Sequence, residues 1–377
     1  MRKVLSSAEV GVRFMLSERN VFRFDFEGEV LFGCCHVDDI LFAPSSDRIR
    51  LEFLRRIRNR FAITGGDEPC TSFCGMELEH NAEKRTIKIH QSDFERRVLE
   101  KYGAMSLKPA PTPKKVGEGP LRRYGGVASE QHRMDFMTFI GDLQWLVRTN
   151  PRLAFSCQEL SHFVSNPGPD HFAAALRVLA NIRGHIGQGI TYHGSSEVLL
   201  EKYDHRHVLL AATDSNFSHS GEKATTGVVV LLNGGPIFHS SRLQSTVSMN
   251  SAEAEVKAAA TCAEIMSGIA PLWSEITGRV HPPVRCLIDN KSAKRQIESG
   301  IDTAASAAYL KYKRYAESKV YAGIVWFDYV PGEVNFADLC TKQVRDTTEF
   351  LRKDGVASGA HPSMFESEAM MQFLRSD

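Results

Sequence analysis

From about residue 207 onward, short apolar runs and longer helical patterns follow one another in an order that few folds accept. Val208–Thr213, Thr226–Leu232 and Pro236–Ser240 have the length and β-branched content of strands. Ser251–Thr277 repeats its apolar residues at helical spacing. Val284-Arg285-Cys286-Leu287-Ile288 is a compact apolar strand, then a helix, a last strand at Ile324–Val330 and a final helix follow. Three strands, helix, strand, helix, strand and helix suit a mixed sheet with helices packed on it.

The preceding part reads differently. Val21–Phe26 and Val30–Phe32 flank the turn Glu27-Gly28-Glu29 as a hairpin. A second, tighter hairpin turns at Asp38-Asp39, between Cys34–Val37 and Ile40–Ala43. The stretch from Ser46 to Arg60 carries Arg48, Arg50, Arg55, Arg56, Arg58 and Arg60 against Asp47 and Glu52. With Leu51, Leu54 and Ile57 at helical spacing, it is expected to form a basic amphipathic helix. Phe73–Leu78 and Thr86–His90 form a further strand pair, and Ser92–Tyr102 a helix. Residues 107–125, rich in Pro, Gly and Lys, form a linker or extended crossing. A helical block from about Met134 to Gly184 breaks at Asn150-Pro151 and at Asn166-Pro167-Gly168-Pro169.

The chain's 377 residues suffice for two or three domains. Its net charge of +1 gives no global field toward nucleic acid, so any electrostatic footprint is local. The basic helix is one such footprint; most such helices are simply solvated, but its place after an acidic hairpin makes Arg48, Arg55 and Arg56 candidates for phosphate contact. The eight cysteines are scattered without a disulfide framework, as in a reduced intracellular compartment. Cys70 and Cys74 with His80 and His90 lack the second tight ligand pair of a zinc site. No apolar run is long enough to cross a membrane, and the N-terminus lacks the apolar core of a signal peptide.

Two acidic constellations carry the chemistry. Asp38 and Asp39 repel each other at a hairpin tip unless a cation neutralises them, and Mg2+ is suited to that. An isolated Asp-Asp is more often a polar turn. Asp214 ends a strand, Glu255 lies in the first turns of the long helix, Asp289 ends the compact strand and Asp338 lies at the start of the last helix. Strand ends and helix starts are where active-site groups of mixed sheets collect. Asn250 and Glu253 have capping-box spacing, which gives Glu253 a structural task and leaves Glu255 on the face of Ala258, Ala259 and Cys262. An acid on that apolar face needs a partner, and a metal would serve. Taken singly, Asp214 reads first as a turn former, Asp289-Asn290 as a helix cap, and Asp338 as a capping-box acid after Asn335.

The motifs in series resemble those of Ty1/copia-type retrotransposon Pol polyproteins. His36-Val37-Asp38-Asp39-Ile40-Leu41 is similar to the palm motif Y-V-D-D-I-L, and Phe73-Cys74-Gly75-Met76-Glu77-Leu78 to F-L-G-I-E-I. Phe139–Leu146 and Asn150–Phe155 resemble the family's Y-x-S-L-I-G-S-L-x-Y-L and T-R-P-D-I-A-F. Thr213–Phe217, Asn250–Glu255, Ile288–Ala293 and Asn335–Lys342 resemble the family's ribonuclease H motifs S-D-A-D-W, S-S-T-E-A-E, C-D-N-Q-S-A and N-V-A-D-I-F-T-K. The likeness runs to about residue 345, roughly nine tenths of the chain.

The resemblance implies a truncated reverse-transcriptase palm over 1–115 and a helical thumb or connection over 116–204. A ribonuclease H-like domain over 205–345, with a mixed five-stranded sheet and flanking helices, and a tail over 346–377 complete the expectation. It implies that Asp214, Glu255, Asp289 and Asp338 bind two Mg2+ ions about 3.5–4 Å apart, Mn2+ being an alternative, and hydrolyse the RNA strand of an RNA–DNA hybrid. Arg148, Arg152, Arg177 and Arg183 are candidates for gripping the duplex backbone. Other products of the polyprotein are expected partners, in the cytoplasm within a virus-like particle or in the nucleus. Two departures limit the polymerase reading: His36 replaces the motif tyrosine, and the third palm aspartate is missing, because only Asp25 precedes Asp38. No histidine lies between His281 and His361, where many ribonucleases H keep a mobile one. A nucleic-acid-binding relic without catalysis is the alternative.

Overall fold

The computed structural model describes residues 2–194, 209–217, 222–302, 304–344 and 346–360. Val208, the expected boundary at 204/205 and residues 361–377 of the tail lie outside them. The chain divides into two compact units, Met1–His80 with Ile265–Pro282, and Asn81–Glu264 with Pro283–Asp377.

The first unit opens with a short helix α1 (Arg2–Leu5) and strands β1 (Val12–Phe14), β2 (Val21–Phe26), β3 (Glu29–His36) and β4 (Asp39–Pro44). They form an antiparallel sheet in sequence order. Alternation along β2 buries Phe22 and Phe24, and helix α2 (Asp47–Arg58) covers them. Phe53 stands 5.8 Å from Phe22 and 5.4 Å from Phe24, ring centre to ring centre. The basic helix is thus present, but its buried stripe is Ile49, Phe53, Leu54 and Ile57. Leu51, expected on that stripe, is exposed, since the i, i+4 row through Ile49 faces the sheet. Gly33 is required where it stands, because a Cβ there would meet the Phe22 ring at 2.3 Å. Strands β5 (Ser72–Phe73) and β6 (Met76–Asn81) turn at Cys74-Gly75, both with positive φ.

The second unit holds β7 (Thr86–His90), α3 (Ser92–Lys101), α4 (Glu130–Leu146), α5 (Ala154–Ser161), α6 (Pro169–Gly184) and β8 (Ile190–His193). The helices end at the expected breaks, where Pro151 and Pro169 open new turns. Phe136, Phe139, Leu143, Val178 and Leu179 lie in their common core. Strand β8, within the block expected to be helical, pairs antiparallel with β7.

The same unit contains a mixed five-stranded sheet of β9 (Leu209–Asn216), β10 (Thr225–Leu232), β11 (Gly235–Leu243), β12 (Val284–Ile288) and β13 (Val325–Tyr329), in the order β11-β10-β9-β12-β13. The first three strands are antiparallel; β12 runs parallel to β9, and β13 parallel to β12. Parallel neighbours need crossovers, and helices α7 (Ser251–Thr277), α8 (Lys291–Glu298) and α9 (Leu310–Tyr321) supply them. The central strands are buried almost throughout, and Val228, Val229 and Val230 each contribute roughly 1.5–3 kcal/mol by burial. A run of Ala254, Ala258, Ala259 and Ala263 on α7 is buried. Asp338 lies in a short 3-10 segment, Phe336–Cys340, and the last helix is α10 (Thr347–Ala357), capped by Asp346. The expected placement of Asp338 at the start of that helix is therefore corrected.

Candidate metal centre

The parallel register pairs Leu287 with Ala212. Carried two residues further, it sets Asp289 at the end of β12 beside Asp214 on β9, at the same sheet edge. Gln244 fixes the start of α7 at that edge: its amide donates to the Ala254 carbonyl at 2.9 Å and to the Thr226 hydroxyl at 3.0 Å. Asn250 accepts from the Glu253 amide, and Glu253 accepts from the Met249 amide and pairs with Lys257. Glu253 is thus used at the helix start, and Glu255 turns to the sheet. Asn290 caps α8 by accepting from the Ala293 amide, which leaves Asp289 out of the capping role.

Carboxylate oxygens of Asp214, Glu255 and Asp289 lie within 4.8 Å of one another, the one such His, Cys, Asp and Glu group among the described residues. Asp214 and Glu255 are buried, and Oε2 of Glu255 has no hydrogen-bond partner. Burial pushes Asp214 up to about 8, the charge of Asp338 adds to this, and Lys342 opposes it. Burial, then the charges of Asp214 and Asp289, raises Glu255 well above the usual carboxylate range. Burial likewise raises Asp289, against the pull of Lys342. Gathered acids of this kind are costly without a cation. The donor set is all carboxylate oxygen, which fits a hard divalent ion such as Mg2+ and gives the orphaned Glu255 oxygen a partner.

The fourth acid is held differently. Asp338 follows Asn335, whose side chain accepts from the Ala337 amide and donates to the Thr213 carbonyl at 3.0 Å, tying this segment to β9. Gly227, the register partner of Asp214, permits the close approach: a Cβ there would lie 2.6 Å from Thr341 and 2.9 Å from the Ala337 carbonyl. Thr341 in turn donates to Asp214. Oδ2 of Asp338 lies 2.5 Å from Nζ of Lys353, and Oδ1 lies 2.8 Å from Nζ of Lys342. Lys353 also reaches the Gly332 carbonyl at 2.9 Å and Glu349 at 2.7 Å. Neither lysine was assigned a role from sequence. Lys342 closes the quoted Asn335–Lys342 motif, and Lys353 lies in the tail given no function; Phe350 and Val356 bracketing Lys353-Asp354 after Asp346 were the available sign of a docked helix.

The remaining candidates do not gather into a site. Asp38 and Asp39 are both exposed at the β3–β4 turn, where Val37 takes a positive φ. Asp25 pairs with Val30 at the opposite end of β3, about 20 Å from His36 along the strand, and is engaged by Arg13 and Arg23. The arginines of α2 meet local acids: Arg48 pairs with Glu27, and Arg55 and Arg56 share Glu52, whose carboxyl they hold at about 2. Arg152 requires correction as a backbone-gripping residue. It is 3% exposed, 3.5 Å from Asp354 and bonded to Asn150, so it serves the interior. Arg177 and Arg183 donate to the Thr112 and Met105 carbonyls. Arg148 is exposed, with its guanidinium 4.9 Å from the Trp145 ring centre. His80 bonds to the Cys70 carbonyl, and the Cys70, Cys74, His80 and His90 set forms no metal-binding group.

No family model matches the chain. Among solved structures, ribonuclease H1 of Halobacterium salinarum is similar at 15% identity and a TM-score of 0.28, over 35% of this chain and 93% of that one. The Pol polyprotein of tobacco transposon TNT 1-94 is 27% identical over 200 residues, 51% of this chain and 14% of its own length. The Pol polyprotein of Arabidopsis thaliana transposon RE1 is 24% identical over 354 residues, 92% of this chain. This chain spans 23% of the RE1 polyprotein's length. No helix among the described residues is long and apolar enough to cross a membrane. The relatives of this chain thus include retrovirus-related Pol polyproteins from copia-type transposons, matched over up to 92% of its length.

Proposed function

We propose that this chain is a ribonuclease H-type hydrolase of a transposon polyprotein, cutting the RNA strand of an RNA–DNA hybrid at the Asp214, Glu255 and Asp289 cluster. The observation that carries this reading is three carboxylates from β9, α7 and the end of β12 within 4.8 Å, one oxygen of Glu255 being buried and unpartnered. The motif order around Asp214, Glu255, Asp289 and Asp338 and the Pol polyprotein homologues support it. Bound divalent ions, Mg2+ or in its place Mn2+, supply an activated water and charge stabilisation for the leaving 3′ oxygen. Asp214 and Asp289 hold the ions, Glu255 completes the set from the helix, and Asp338 borders it. The 2′-hydroxyls and groove shape of the hybrid select the RNA strand. Arg148, the exposed member of the helical arginine set, is the residue we assign to the duplex backbone; other products of the polyprotein are its proposed partners.

We assign residues 1–115 to a palm remnant, 116–204 to the thumb or connection, 205–345 to the nuclease domain and 346–377 to the tail. Asp38 and Asp39 stand exposed at a turn and belong to no metal-binding group among the described residues, and the third palm aspartate has no counterpart before them, so we expect no primer extension by this chain. The test of the hydrolase reading is a labelled RNA strand offered with Mg2+ in a hybrid, an RNA duplex and as a single strand. Cutting confined to the hybrid supports it; equal cutting of all three, or none, contradicts it. A binding protein without catalysis is the second reading, favoured by the engagement of Asp338 with two lysines, and it predicts hybrid binding with no cutting.

A further inference from the structure

Lys342 and Lys353 both meet Asp338, but their surroundings differ in a way that separates their roles. Lys353 is fully buried, and its ammonium faces three acceptors at 2.5–2.9 Å, namely Asp338, Glu349 and the Gly332 carbonyl. It has no outward path and no spare proton. The Lys342 side chain is 38% exposed. Its ammonium spans two of the acids, 2.8 Å from Asp338 and 3.4 Å from Asp214, on a long stem partly open to solvent. It therefore sits as a cation between Asp214, a member of the three-carboxylate group, and the fourth acid.

We propose that Lys342 is the resident counter-cation of this centre, which a divalent ion must displace, while Lys353 is the fixed clamp that keeps Asp338 at the cluster's edge. The proposal rests on the metal-binding reading given above. The four acids of the centre and Glu349 are met by only two ammonium groups, so carboxylates outnumber cations until a divalent ion enters. Further positive charge is repelled while Lys342 stays in place. Lys342 is a positioning residue in this scheme: it holds Asp214 and Asp338 in place without the ion, and it sets how readily the ion enters.

Manganese titration, followed by calorimetry and by electron paramagnetic resonance of free Mn2+, separates the outcomes without recourse to activity. Lys342→Gln, partly exposed and so compatible with folding, is expected to bind Mn2+ about tenfold more tightly than wild type, through loss of a nearby positive charge. Lys342→Arg, which keeps the charge, is expected to bind as wild type does. Asp289→Asn identifies binding at this centre by its loss. Equal affinity of wild type and Lys342→Gln, or weaker binding by Lys342→Gln, overturns the counter-cation role and leaves the metal reading standing. No saturable binding by wild type, Lys342→Gln or Lys342→Arg overturns both.

Discussion

At the scale of single residues, the centre is defined by which acids have partners. Glu253, Asp289 and Asp338 all lie in local patterns suggestive of helix caps, yet only Glu253 is used as one, because Asn290 and Asn335 supply the caps nearest the other two. Sequence spacing separated Glu253 from Glu255 correctly, since residues two apart on a helix face different ways. It could not show that Asp338 would be shared by two lysines, because Lys353 approaches from a helix fifteen residues on. The buried acids carry a stability cost in the metal-free protein. Glu255→Gln is therefore expected to raise stability in EDTA by about 1 kcal/mol, read by urea denaturation, while abolishing metal binding. A decrease would mean that Glu255 has a structural partner. Lys353→Met removes the buried partner of Asp338 Oδ2 and of Glu349 and is expected to cost about 3–5 kcal/mol. Arg152→Ala is expected to cost a similar amount through Asp354, with hybrid affinity unchanged in the folded fraction; a selective loss of affinity would restore the surface role.

At the scale of elements, order and type were legible while contacts between distant segments were not. From β9 to β13 the central strands read as short apolar runs, buried on both faces, and the helices as period-3.6 patterns long enough to read. Strands β1 and β8 are only 3 and 4 residues long, too short for periodicity to register. The face of α2 was misjudged at Leu51 because apolar spacing alone fits two neighbouring stripes, and the sheet's phenylalanines choose between them. The seat of the 3-10 segment on β10 depends on Gly227, so Gly227→Val is expected to cost about 1–3 kcal/mol by overpacking. It should also lower cleavage beyond what lost fold explains, as judged by activity per folded molecule. Strand β11 holds His239, whose ring bonds to the Val147 carbonyl at 2.7 Å and whose burial lowers it from the ordinary 6.5. The folded state thus prefers the neutral ring. The stability this gives is present above pH 6.5 and is lost as pH falls through that value. His239→Gln should flatten the fall in urea midpoint between about pH 6.5 and 5; an unchanged slope would assign it to other groups.

For the whole molecule, two compact units share one chain, and only the second gathers a metal-binding acid group among the described residues. The resemblance of the motifs announced both parts, but a motif fixes residue type and order rather than assembly. Asp38-Asp39 matches the palm pattern and stays exposed at a turn, whereas Asp214, Glu255 and Asp289 converge because parallel strands share an edge. Saturating Mg2+ at about 100 times its Kd should stabilise the second unit by about 2.7 kcal/mol. The central claim is tested most directly by cleavage of an end-labelled RNA strand in an RNA–DNA hybrid, with Mg2+, by wild type and by Asp289→Asn. Metal-dependent cutting by wild type that disappears in a folded Asp289→Asn protein is the predicted result. Cutting that survives the substitution, or none by folded wild type, would contradict the assignment of this centre as a nuclease site.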